Sequence, residues 1–133
     1  NTIWVAEKLV AKVTAEENWE VKILEKVKGE ALVGREYEPL YTYLPIGQKK
    51  AYYVGAGDFV SLDEGTGIVH TAAVYGEDDY ALSQKLDLPC VPMLDEQGRY
   101  LDFVEPIKGI FFKKAEEWIV QDLIDRDLLL RAE

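Results

Sequence analysis

The segment GTGIVHTAAVYGEDDY, residues 65–80, combines a glycine turn, an apolar run and an acidic helix start. The run predicts a strand at 68–72, which contains His70, the single histidine of the chain. A short helix is predicted from Gly76 to Leu86, because Gly76 leads into a cluster of acids and a proline follows the apolar positions. The end of this strand and the start of this helix converge. We therefore expect His70 and Asp79 to face one pocket across the connecting loop.

Each of these side chains also has a purely structural interpretation. Glu77, Asp78 and Asp79 fall in a first helical turn, where the helix dipole favours acids whatever their role. A carboxylate that points into a cleft would instead be a natural acceptor for an ammonium group. His70 can be a hydrogen-bonded core residue as well as a functional one. The two glycines of the turn match no phosphate-binding pattern and are typical of a turn.

The rest of the chain predicts many short strands with a few helices. The predicted strands are 2–6, 19–23, 50–54, 58–62, 68–72, 128–130 and a hairpin of 91–94 with 100–103 around the turn 95–98. The predicted helices are 6–17, 76–86 and 112–125, the last with Ala115, Trp118, Ile119 and either Leu123 or Ile124 turned inward. This pattern predicts a mainly β fold, a barrel or sandwich with peripheral helices.

Composition excludes several classes of protein. The 133 residues suit a single domain, and a net charge of −10 argues against nucleic-acid binding through bulk electrostatics. One cysteine allows no intrachain disulfide and fits a reducing compartment, and one cysteine with one histidine cannot build the usual zinc site. The sequence has no apolar run long enough for a transmembrane helix and no secretory signal. The first residue is Asn1, which suggests a piece of a longer chain.

GTGIVHTA followed by GEDDY resembles the editing domain, or connective peptide, inserted in isoleucyl-tRNA synthetase, a class I aminoacyl-tRNA synthetase. The valine and leucine enzymes share the Gly-Thr-Gly turn and a later aspartate. His70 and the block 76–79 favour the isoleucine enzyme. A Pro-x-x-Gly element at 106–109 and the spaced helix after it extend the resemblance over 50–133, and residues 1–49 match loosely.

The resemblance implies a fold and an activity. The fold would be a closed β-barrel with peripheral helices, of the type shared by the valine, isoleucine and leucine enzymes. Residues 1–133 would form a single editing domain, a fragment of a longer synthetase that lacks the upstream threonine-rich segment. The activity would be proofreading hydrolysis of mischarged valine, from tRNA(Ile) or from valyl-adenylate.

The resemblance also implies roles for individual residues. Asp79 would anchor the substrate's amino group, and His70 would line the side-chain pocket and limit its size. The pocket wall would be formed by Gly67, Ile68, Val69, Thr71, Ala72 and Ala73. No metal or cofactor is expected in this domain, since ATP binding would belong to the full-length enzyme. The expected partner is the 3′ end of tRNA(Ile), held mainly by the rest of a cytoplasmic synthetase, with no membrane contact.

Two departures from the family pattern keep other functions open. Ala73 stands where the family has a proline, so the loop that carries Asp79 loses a rigid φ. The missing threonine-rich segment leaves the alternative of a non-catalytic binding or scaffold barrel derived from such a domain. A further alternative is a valyl-tRNA synthetase editing domain that clears threonine.

Overall fold

The computed structural model describes residues 2–15 and 19–131. In these ranges the chain forms the helices α1 (Val10–Ala15), α2 (Glu77–Lys85) and α3 (Phe112–Asp125), with 3₁₀-helices at Glu7–Leu9, Gly29–Leu32 and Glu105–Ile107. None of these helices is both long and apolar enough to cross a membrane. The chain divides into two compact units, Asn1–Glu38 with Gln48–Cys90, and Pro39–Gly47 with Val91–Glu133.

The predicted mainly β fold with a closed barrel is wrong. Helix accounts for 31% of the described residues and strand for 5%. The β pairing in this part of the chain is confined to isolated antiparallel bridges, which are Glu36–Tyr53, Leu94–Tyr100 and Arg99–Phe111. The segments predicted as strands at 2–6, 19–23, 50–54, 58–62, 68–72 and 128–130 form no ladder. Alternating apolar residues form a stable strand only where a neighbouring strand and a buried face are present, and Val21 and Ile23 are 49% and 59% exposed.

Helix α2 confirms the prediction for 76–86 to within a residue at each end. Gly76 is its extended N-cap residue, and the Leu86 N–H closes the last turn on the Leu82 carbonyl. The predicted helix 6–17 is confirmed over 7–15 as a 3₁₀ turn that runs into α1, and its last two residues lie outside the described ranges. The only strongly buried apolar side chain in this helical segment is Leu9.

The second unit is built around α3, whose predicted limits are confirmed at both ends. Ala115 is fully buried in a cluster with Val104 and Ile107, and Trp118 and Ile119 pack against that cluster. The sequence left open whether Leu123 or Ile124 faces inward. Leu123 is half-buried, whereas Ile124 is 50% exposed. The apolar spacing of this helix therefore predicted its buried face correctly.

The predicted hairpin turn at 95–98 is present. Asp95 Oδ1 accepts hydrogen bonds from the N–H groups of Gln97 and Arg99, at 2.9 and 2.8 Å. The Gly98 N–H donates to the Asp95 carbonyl, and Gly98 has a φ of 73°, the left-handed conformation that glycine adopts most easily. The turn joins the residues on either side through a single bridge rather than a two-stranded ladder.

Tyr41 fastens the segment 39–47 to α3. Its hydroxyl donates to Asp122 Oδ2 at 2.8 Å, and the same oxygen accepts a 2.8 Å hydrogen bond from Arg126. Arg126 also donates to the Leu40 carbonyl, and its guanidinium lies 5.2 Å from the centre of the Tyr41 ring. Burial, and then the hydrogen bond to Asp122, raise the pKa of Tyr41 to about 12.

This contact predicts a loss of stability in alkali. The pKa of Tyr41 is about 12 in the fold and 10 in the reference state, so its neutral form favours the fold. Its contribution is complete below pH 10 and is lost as the pH rises to about 12. We expect the free energy of unfolding, measured with urea across this range, to fall more steeply in the wild type than in Tyr41→Phe. Equal slopes would contradict the assignment.

Candidate functional site

The Gly-Thr-Gly turn has the geometry that its sequence predicts. Gly65 and Gly67 have φ values of 63° and 76°, which favour glycine. Between them, Thr66 Oγ1 donates to the Ile68 carbonyl at 3.0 Å and accepts from its N–H at 3.3 Å. The Thr66 carbonyl accepts a 2.7 Å hydrogen bond from the Ala6 N–H. The turn is thereby tied to the start of the chain.

Gly67 meets a further constraint that the sequence alone does not reveal. A Cβ on Gly67 would lie 2.6 Å from the Ala6 Cβ and 3.3 Å from Leu62 Cδ2. A Cβ on Gly65 would meet nothing within 4 Å. Two glycines of the same turn, both in the left-handed region, therefore differ in how closely another segment approaches them.

Residues 68–70 leave the turn as exposed, irregular chain rather than as a strand. Ile68 and Val69 are 47% and 53% exposed, and His70 is exposed as well. Within the described residues the His70 imidazole has no hydrogen-bond or ion-pair partner. The interpretation of His70 as a hydrogen-bonded core residue is therefore wrong, whereas its role as a pocket residue stays a prediction.

The segment that follows His70 bends back into α2. Thr71, Ala72 and Ala73 are half-buried, and the Ala72 carbonyl accepts a 2.9 Å hydrogen bond from the Tyr75 N–H. Ala73 lies inside this turn, which is closed by a backbone hydrogen bond. It ends at Gly76, the N-cap of α2.

The three acids of the first turn of α2 differ in exposure. Glu77 and Asp78 are exposed, whereas Asp79 is half-buried. The Asp79 carboxylate folds back towards Gly76. If residue 76 carried a Cβ, that atom would lie 2.7 Å from Asp79 Oδ2. No hydrogen bond or ion pair joins this carboxylate to any side chain within 2–15 and 19–131. The helix dipole accounts for all three acids, but it does not explain why one of them is sheltered and unpaired.

Ser83 holds α2 against the preceding loop. It is fully buried, and its Oγ donates to the Tyr80 carbonyl at 2.7 Å. The same oxygen lies 3.1 Å from Cys90 Sγ and 3.5 Å from the Ala73 carbonyl. Because Asp79 precedes Ser83 by four residues, the two lie on one face of the helix. Asp79 is therefore on the side of α2 that faces the Ala73 segment.

The segments that carry the predicted site residues are thus neighbours in the structure, but the side chains of His70 and Asp79 do not contact each other through a hydrogen bond or ion pair. The loop 68–73 and the first turn of α2 are neighbours through the 72–75 turn and through Ser83. No hydrogen bond or ion pair links His70 to Asp79, so a pocket shared by the two stays a prediction. Among the described residues, no group of three His, Cys, Asp or Glu side chains could hold a metal ion.

Two features of this site were missed from the sequence. One is the burial of Ser83, and the other is the contact of the Asp79 carboxylate with Gly76. The spacing of four residues between Asp79 and Ser83 was an available signal, since it places both on one helix face. The contact with Gly76 depends on a side-chain rotamer, which residue types alone do not specify.

The chain is similar to segments of isoleucine–tRNA ligases from distant organisms. It is 45% identical over 114 residues to that of Clostridium novyi, covering 86% of this chain and 11% of the relative. Identity is 48% over 115 residues for Tetrahymena thermophila, covering 82% of this chain and 10% of the relative. Identity is 38% over 133 residues for Methanothermobacter marburgensis, covering 99% of this chain and 12% of the relative. The chain thus spans about a tenth of these relatives. No protein-family model matches the chain.

The turn predicts unequal effects of the same substitution at its two glycines. Alanine at either position costs about 1–2 kcal/mol for the left-handed backbone. At Gly67 the 2.6 Å approach of Ala6 adds an overpacking cost of about 1–3 kcal/mol. We expect urea unfolding to show a larger loss for Gly67→Ala than for Gly65→Ala. Ala6→Gly should recover part of that excess when combined with Gly67→Ala, and equal losses at the two glycines would contradict the close approach.

Proposed function

Because this chain belongs to the isoleucine–tRNA ligase family of class I synthetases, as a segment of about a tenth of their length, we propose that it is the editing domain of such an enzyme. Its substrate in this proposal is valine wrongly attached to tRNA(Ile), or valine in valyl-adenylate. The observation that carries the proposal is the sheltered Asp79 carboxylate at the start of α2, which has no partner among the described residues.

A synthetase for isoleucine needs a second site because valine and isoleucine differ little in their free energy of binding to one pocket. One methylene in an apolar pocket gives about 1–3 kcal/mol, or 10–200-fold discrimination, a figure established for this enzyme class. Protein synthesis requires more discrimination than that. A second site must therefore admit valine, exclude isoleucine and hydrolyse the bond to the nucleotide.

Asp79 has the charge and setting to bind the α-ammonium group of valine. The first turn of α2 carries three carboxylates, whereas the helix N-terminus contributes only about half a positive charge. The turn therefore stays negative and favours a cation. Of the three acids, Asp79 is the sheltered one, so its hydrogen bond to an ammonium group would compete least with water. Anchoring that group would fix the position of the adjacent carbonyl.

His70 and its neighbours would set the size of the pocket. An imidazole with no partner in the described chain is free to pack against a substrate side chain, and a bulky ring can exclude the extra methylene of isoleucine. The wall would come from the backbone of 67–73, where Thr71, Ala72 and Ala73 are half-buried. Small side chains at 72 and 73 leave room for a short branched amino acid.

Hydrolysis here would rely on positioning more than on a strong base. In Val-tRNA(Ile), a water oxygen bonds to the valine carbonyl carbon, the bond from that carbon to the ribose oxygen breaks, and a proton of the water passes to the ribose oxygen. In valyl-adenylate the bond that breaks joins the same carbon to a phosphate oxygen, and AMP leaves. Backbone groups, hydroxyls and the substrate's own ribose would orient the water.

The net charge of −10 limits how this segment meets tRNA. Phosphates are bound by Lys and Arg, so an acidic segment would receive only the 3′ end while the rest of a cytoplasmic synthetase holds the tRNA body. A panel of mischarged tRNAs separates this role from its alternatives. Preferential clearing of threonine from tRNA(Val) would favour a valine-type editing site, and no clearing at all would favour a non-catalytic binding module.

The anchor role predicts a large effect at Asp79 and a small one next to it. Asp79→Asn keeps the size of the side chain and removes the charge, which costs about 1.5–3 kcal/mol of a charge-assisted hydrogen bond, or about 10–150-fold in rate. Asp78→Asn is the matched control, because it removes an exposed carboxylate from the same helical turn. The measurement is the release of valine from Val-tRNA(Ile) by the full-length synthetase that carries each variant. Equal rates for the two variants would disprove the anchor.

The sieve role predicts a change of specificity at His70. His70→Ala enlarges the pocket by most of a ring, so isoleucine should enter and be released from correctly charged Ile-tRNA(Ile). Release of valine should change much less, because valine already fits. Ile-tRNA(Ile) that stays as stable with His70→Ala as with the wild type would show that another residue sets the size limit.

A further inference from the structure

The Asp79 carboxylate occupies space that Gly76 leaves free. A Cβ on Gly76 would lie 2.7 Å from Asp79 Oδ2, 3.3 Å from Cγ and 3.5 Å from Cβ. The three nearest heavy atoms to that position thus all belong to Asp79. Any side chain at 76 would compete with the carboxylate for the same place.

The backbone at this position does not itself require glycine. Gly76 has φ −136° and ψ 147°, an extended conformation that any residue adopts. Gly65 and Gly67 differ in this respect, since their φ values are positive. What glycine supplies at 76 is therefore room for Asp79 and not a special backbone conformation.

We infer that Gly76 is a positioning residue of the editing site, because its missing side chain determines where the Asp79 carboxylate is held for the substrate's ammonium group. This inference rests on the proposed function, which gives Asp79 the anchor role. A methyl group at 76 would push Oδ2 from 2.7 Å to the 3.4 Å or more of an ordinary contact. Misplacement by about 1 Å can cost about 100-fold in rate. Because the carboxylate is the end of a flexible side chain, the added methyl group would displace the carboxylate and leave the backbone in place.

Two substitutions at Gly76 separate positioning from folding. Gly76→Ala adds the methyl group but is a poor N-cap, whereas Gly76→Ser adds the same Cβ and a favourable capping hydroxyl. Gly29→Ala is the control, since a Cβ there meets nothing within 4 Å. In the full-length synthetase, we expect both Gly76 variants to clear Val-tRNA(Ile) about 10- to 100-fold more slowly. Gly76→Ser should do so without losing melting temperature, and Gly29→Ala should keep the wild-type rate.

A double-mutant cycle tests whether Gly76 acts through Asp79. In the Asp79→Asn background the anchor is already lost, so Gly76→Ala should slow the reaction no further. The Asp79 carboxyl resonance, followed by NMR with carbon-labelled aspartate, should shift in Gly76→Ala and stay in place in Gly29→Ala.

The outcomes distinguish the two proposals. If Asp79→Asn is slow while Gly76→Ser works at the wild-type rate, the positioning inference alone is overturned. A full loss from Gly76→Ala in the Asp79→Asn background would also overturn it, because the effect would then be structural. If Asp79→Asn clears valine at the wild-type rate, the proposed function fails and the inference fails with it.

Discussion

The burial of Ser83 between α2, the preceding loop and Cys90 is the contact on which the candidate site depends. Its hydroxyl is fully buried and lies within 3.5 Å of the Tyr80 and Ala73 carbonyls and of Cys90 Sγ. A buried hydroxyl must find such partners, because leaving it unpaired costs about 1–3 kcal/mol. The contact of the same oxygen with the Ala73 carbonyl, at 3.5 Å, places this face of the helix against the loop. The position of Asp79, one turn earlier on the same face, follows from it.

The same geometry distinguishes one of the three acids at the start of α2 from the other two. All three carboxylates offset the positive end of the helix dipole, which is the ordinary reason for acids in a first turn. Of the three, only Asp79 is half-buried, and its carboxylate occupies space that Gly76 leaves free. In the proposed function, such a group would bind the α-ammonium group of valine.

The helices were predictable from the sequence because their signals are local. The apolar spacing around Ala115 and Trp118 predicted the limits of α3, and the glycine before the acids predicted those of α2, each to within a residue. The strands were not, because pairing depends on segments far along the chain, and alternation at Val21 and Ile23 cannot show whether a partner strand is present. Of the candidate site, the roles of Asp79 and His70 stay predictions, and the turn glycines Gly65 and Gly67 were predictable. Its Ser83 and Gly76 contacts were not, since they depend on rotamers and burial.

The central claim is that the Asp79 carboxylate binds the amino group of the substrate. It is tested most directly by titrating a non-hydrolysable valyl-adenosine analogue and its counterpart that lacks the amino group, each with the wild type and with Asp79→Asn. The account predicts that the wild type binds the amine-bearing analogue more tightly by about tenfold or more, and that Asp79→Asn binds the two almost equally. The same preference for the amine in both proteins would contradict the account.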